Sequence, residues 1–204
     1  MSNLAERCRE LAASAMKDGI ANAALEVLRQ YGYEGLTIER VADGAGISKG
    51  SVYNYFQNKQ ELIRFVFDRI VEPAIQATEQ IMAQATGALE KLEALLRMML
   101  DHFSQQRSLF DFLFHDPAVR ELCMASRRAK NDLATSRFET ILQQGIEEGL
   151  FRPLETRAAA EMLFGAVIFL IERQLELGER RPTDEMVRHL LDVFLRGIEA
   201  KATG

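Results

Sequence analysis

Apolar residues recur at helical spacing along almost the whole chain, and nowhere do they alternate with polar ones in the two-residue rhythm of a strand. That periodicity restricts the fold to an all-α one. Leu25, Leu28 and Tyr31 share one face of a helix over 20–32, which Gly32 is suited to stop. Thr37 can cap a short helix whose Ile38, Val41 and Ala42 face inward, and Ser48 can cap the next. A longer helix from Asn58 carries Leu62, Phe65, Val66 and Ile70. Further helices are expected over 87–102, 108–114, 117–145, 155–177 and 183–200, about nine in all. Asp116-Pro117 reads as a cap followed by proline at the first helical position, and Gly149 with Pro153 ends the helix begun there.

Composition removes several classes of function. At 204 residues, 48% hydrophobic and 27% charged, the chain suits one large soluble domain or two small ones. The first residues, MSNLAERCRELAASAMKDG, are too charged for a secretory signal. The longest apolar run, Met162 to Ile171, is well short of the about 18 residues of a membrane span. A cytoplasmic protein with no membrane partner is expected. Cys8 and Cys123 are too few and too far apart for a disulfide framework, and His102, His115 and Cys123 have irregular spacing for a metal, so neither metal nor cofactor is expected. The net charge is −5, but residues 1–70 hold nine basic and nine acidic side chains, leaving 16 basic and 21 acidic beyond. A neutral head is therefore followed by an acidic body.

The stretch GAGISKGSVYNYF, residues 44–56, contains a G-x-S-x-G string and comes near a dinucleotide-binding glycine fingerprint. Both of those motifs require a preceding strand, and here they follow Ile38-Glu39-Arg40-Val41-Ala42-Asp43, an amphipathic helical turn. The glycine spacing, G-x-G-x-x-x-G, also misses by one. An enzyme reading, through Ser48 or a body histidine, is the least supported. Two short helices joined by a tight turn fit instead. Small Ala42 lets the second helix cross close over the first, Gly46 takes the turn, and Ile47 with Val52 plugs the shared core.

The spacing of Ala42, Gly46 and Val52 resembles the helix-turn-helix of bacterial regulators. Extended to Tyr31-Gly32-Tyr33-Glu34-Gly35-Leu36-Thr37-Ile38, to Ile47 through Phe56, and to Asn58-Lys59, it resembles the N-terminal signature of the TetR family over roughly residues 18–66. The segment Gly145 to Pro153 is similar to the one that precedes the dimerising helices in that family. The resemblance implies a DNA-binding transcriptional regulator with a helix-turn-helix domain over 1–60 and an effector-binding and dimerisation domain over 61–204. It also implies that Lys49, Gly50, Ser51, Tyr53 and Asn54 enter the major groove of a double-stranded operator. Thr37, Ser48, Tyr55 and Lys59 would hold phosphates.

The resemblance further implies a homodimer, with an interface of Phe164, Ile168, Val187, Leu191, Phe194 and Ile198 on the last two helices. A small apolar or amphipathic effector is expected among Met99, His102, Phe103, Phe110, Phe114, Met124 and Phe138, since Phe and Met make adaptable linings. The expected mode is repression of a palindromic operator, relieved by that effector. The alternative is an activator or architectural protein of the same fold with no effector.

Overall fold

The computed structural model describes residues 4–107, 110, 117–178 and 180–198, and every regular element among them is a helix. There are eight, against about nine expected, and the expected helix over 108–114 lies outside the described residues except at Phe110. They are α1 (Leu4–Gly35), α2 (Ile38–Ala45), α3 (Lys49–Tyr53), α4 (Lys59–Met82), α5 (Ala88–Gln105), α6 (Pro117–Glu147), α7 (Thr156–Leu177) and α8 (Thr183–Ile198). The chain divides into two compact units, Met1–Ile70 with Ser108–Met124, and Val71–Arg107 with Ala125–Gly204. No helix of the described residues is long and apolar enough to cross a membrane.

In the first unit, α1 begins sixteen residues earlier than the expected helix over 20–32. Its buried face is Ile20, Ala21, Ala23, Ala24, Val27 and Leu28, while the turns before it are almost wholly exposed. Leu, Ala, Glu and Arg dominate that early stretch, and these strong helix formers carry it without a buried face. Gly32, at φ 66°, interrupts the helix where a stop was expected, and one further turn runs on to Gly35.

The caps of the next two helices are local and follow the expected chemistry. Thr37 Oγ1 accepts from Arg40 N at 3.2 Å, and Ser48 Oγ accepts from Ser51 N at 3.1 Å. Each such cap is worth about 1 kcal/mol. Between them Gly46 sits at φ 66°, its N–H donating to Asp43 O while Ile47 N–H donates to Ala42 O. That pair of bonds closes a Schellman turn, which a left-handed residue makes possible. Asn58 then starts α4, with its Oδ1 accepting from Glu61 N at 2.9 Å while Glu61 Oε2 accepts from Gln57 N at 2.7 Å.

In the second unit α5 packs on α7 and α8. Leu92, Leu96, Phe138, Ile141, Leu142, Ala160 and Val167 reach zero exposure there. Each large side chain so buried contributes about 1.5–3 kcal/mol. The end of α6 is a second Schellman turn: Gly149 at φ 74° donates to Ile146 O, and Leu150 N–H donates to Gly145 O. One residue earlier, Glu148 reaches across to the start of α5, where its Oε2 accepts from Ala88 N at 3.0 Å. Gln144 donates to its other oxygen at 2.6 Å and to Thr86 O at 3.1 Å, and Lys91 donates to Gln144. The Ala88 N–H, then Gln144, then the Lys91 charge hold the Glu148 carboxyl below its ordinary pKa.

Candidate nucleic-acid interface

α3 is only five residues long and depends on its neighbours for its position. Val52, fully buried, anchors it against α2, where Ala42 is buried, and Ile47 in the turn between the two helices is half-buried. The other positions turn outward. Lys49, Gly50 and Asn54 are exposed, and Tyr53 is 48% exposed, a large uncovered area for an aromatic ring. A Cβ built at Gly50 would meet nothing nearer than Ser48 Oγ at 3.8 Å, so the fold itself has no need of glycine there. The amide end of α3, capped by Ser48, and the outward face together form a cationic, hydrogen-bonding and aromatic surface of the size that a DNA major groove admits.

Other expected contacts are more committed to the fold. Thr37 and Ser48 spend their oxygens as caps, and Ser51 Oγ lies 2.8 Å from Ser48 Oγ. Tyr55 is half-buried. Lys59 is turned inward: its Nζ donates to Tyr33 O at 2.6 Å and lies 3.8 Å from the centre of the Tyr33 ring. Lys17, on α1, lies 5.9 Å from the centre of the Phe56 ring and 6.0 Å from that of Phe65. Two contacts had no signal in the sequence: Arg40 stacks 4.4 Å from the Tyr31 ring, and Arg69 pairs with Asp18 at 3.0 Å. Both join positions that no short-range pattern relates.

The residues expected at the dimer interface separate. Phe194 lines an apolar groove of about 730 Å³ between α7 and α8, and the strongly exposed side chains there are Met162 (73%), Phe169 (64%) and Val193 (76%). Val187 and Leu191 instead line a second groove, about 830 Å³, on the α5 side of α8 with Leu89 and Leu150. Val187 is 2% exposed in the single chain and packs into its own subunit. Phe164 and Ile168 are half-buried, with the Phe164 ring 6.4 Å from Phe138. The side chain of Ile198 lies outside the described residues.

Of the expected effector contacts, Met99, Phe110 and Phe138 are buried, His102 and Phe103 half-buried, and Met124 exposed. Phe114 lies outside the described residues. Phe103 lines a cavity of about 30 Å³ with Leu100, Ser104, Arg107 and Ile171, a space for one water molecule.

An all-helical chain with a glycine-turned, twice-capped helix pair and an outward-facing α3 defines a helix-turn-helix DNA-binding protein. Residues 20–66 match the family model described as bacterial regulatory proteins, tetR family, and residues 85–198 match the tetracyclin repressor-like C-terminal domain. The chain belongs to the TetR family of transcriptional regulators. It is 23% identical over 186 residues to the fatty acid metabolism regulator protein of Bacillus subtilis (strain 168), covering 89% of this chain and 95% of that protein. Its fold matches a TetR transcription regulator from Haloarcula marismortui with a TM-score of 0.81 at 21% identity, over 91% of this chain and 99% of that one. It also matches SmeT in complex with triclosan, with a TM-score of 0.77 at 21% identity, over 92% and 93% of the two chains.

Proposed function

We propose that this regulator is a cytoplasmic repressor that binds a palindromic operator as a homodimer and is released by a small apolar or amphipathic molecule. The observation that carries the DNA side is the outward face of α3: Lys49, Gly50, Tyr53 and Asn54 are exposed on a helix whose orientation is fixed by Gly46, Ser48 and Val52. Lysine donates to guanine acceptors, asparagine pairs with adenine, and the tyrosine ring meets a thymine methyl. Reading belongs to a head over 1–60, and dimerisation and effector binding to a body over 61–204.

The dimer is supported by the α7–α8 groove, where Met162, Phe169 and Val193 leave a contiguous apolar strip facing solvent in the single chain. A second copy related by a two-fold axis would cover it and set two α3 helices on successive half-sites. The effector is supported by the Phe and Met content of α5 and α6, including Met99, Phe103 and Phe138, and by the triclosan held by SmeT.

Selection of bound duplexes from a random pool tests the reading. The expected outcome is an imperfect palindrome whose preferred bases change in Lys49→Ala and Tyr53→Ala. Selected DNA without dyad symmetry, or a preference indifferent to both substitutions, would overturn it.

A further inference from the structure

On α8, Asp184, Arg188, Asp192 and Arg196 follow one another every fourth residue, so they form a single exposed row in which the sign of the charge alternates. Three of the four are paired within the chain. Asp184 takes Arg97 of α5, which also holds Glu93 at 3.1 Å, and Asp192 takes Arg196 at 2.8 Å. Arg188 is left over: the acids one turn to either side of it are engaged, and among the described residues it has no hydrogen bond or ion pair. Beside the row lies an apolar strip, with Leu89 40% and Leu150 46% exposed and Leu191 and Leu195 half-buried. Row and strip line the groove between α5 and α8, which shares no lining residue with the α7–α8 groove.

Turned end for end, this row is its own complement. With two copies of α8 antiparallel about a two-fold axis, position 184 faces 196 and position 188 faces 192, an acid opposite a base at every place. The same arrangement supplies the unpaired Arg188 with the carboxylate of Asp192 from the second copy. We propose that this face of α8 is a second self-association surface, that its occupant is the same face of another copy of the chain, and that two dimers join through it into a tetramer. The leucines form the apolar centre of the contact and the charged row its rim. Exposed ion pairs each contribute little, so the charges fix direction and register while the leucines supply most of the attraction. The contact is weaker than the α7–α8 dimer and forms at high protein concentration. Only the size of the assembly rests on that dimer: four chains with it, two without it.

Sedimentation equilibrium of the full chain, from low to high protein concentration, tests the proposal. The expected result is an average mass that rises from dimer toward tetramer. Arg188→Asp and Asp192→Arg each set like charges across the axis twice, and each is expected to weaken this association about tenfold, or about 1.4 kcal/mol. An equimolar mixture of the two variants is expected to recover it, because in the mixed contact both 188–192 pairs again join opposite signs. Damage to α8 itself would persist in the mixture. Leu191→Glu removes the tetramer and keeps the dimer. A wild-type chain that stays dimeric at every concentration overturns the proposal, as does a tetramer indifferent to both reversals, or a mixture no better than its components. Failure of the α7–α8 reading looks different. If Phe169→Glu with Val193→Glu leaves the mass unchanged while Arg188→Asp lowers it to that of a monomer, the α7–α8 dimer is refuted and the α5–α8 face is the one that pairs.

Discussion

The ring of Phe151 occupies the space that a side chain at position 145 would need: a Cβ there would fall 2.1 Å from Phe151 Cδ2 and 2.2 Å from Cε2. The two are also joined through the backbone, Phe151 N–H donating to Gly145 O at 3.0 Å. Because Phe151 is buried, its ring has nowhere inexpensive to go.

Gly145→Ala is therefore expected to destabilise the chain by about 1–3 kcal/mol, as overpacking of a tight core does. For a chain of this size that lowers the melting temperature by roughly 2–4 °C per kcal/mol. Phe151→Leu in the same chain should return part of the loss, and thermal melts of the two single variants and the double one measure it. An unchanged melting temperature in Gly145→Ala would show that the ring moves freely.

Charge placed on the α7–α8 strip should abolish dimerisation without unfolding the subunit, because Phe169 and Val193 are exposed in the single chain. Phe169→Glu with Val193→Glu sets like, unpaired carboxylates in an apolar contact, which costs several kcal/mol. Sedimentation should give a monomer with unchanged helical circular dichroism. Leu191→Glu, in the separate groove beside Leu89 and Leu150, is expected to leave the dimer intact. A monomer from Leu191→Glu and a dimer from the pair would exchange the roles of the two grooves.

Glu148 makes stability depend on acid. Its folded-state pKa lies below the ordinary value of 4.5, chiefly because Ala88 N–H donates to the carboxylate, so folding favours the charged form. That contribution is fully present above pH 4.5 and is lost as pH falls through the lowered value. Glu148→Gln should melt below wild type at neutral pH, with the two curves converging as acid is added. A gap that persists undiminished through that range would mean that charge at Glu148 plays no part.

What the sequence disclosed is set by distance along the chain. Thr37, Ser48 and Gly46 act on neighbours within five residues, and each sits where its cap or turn chemistry requires. Glu148 caps a helix start sixty residues away, and no periodic pattern carries that relation. On α8, one apolar stripe divides between two grooves, because a stripe gives the facing of a helix but not the number of neighbours. Met162, Ala166 and Phe169, spaced four and three apart, would have marked the exposed side of α7 had its two faces been separated. The register of Lys59 within the motif was legible, but the direction of its side chain depends on Tyr33, twenty-six residues earlier.

Under the operator-binding reading proposed above, the duties of folding and of base contact in α3 and its caps fall on different residues. Ser48 and Val52 hold the helix, while Lys49, Gly50, Tyr53 and Asn54 are exposed and lie outside the core. Substitutions at those four surface positions cost the fold little. A lineage can therefore drift to a new half-site by a few codon changes, with every intermediate still folded, while a change at Val52 would shift all base contacts together. The vocabulary of such a regulator is free to diverge over evolutionary time, and the angle at which it is presented is not.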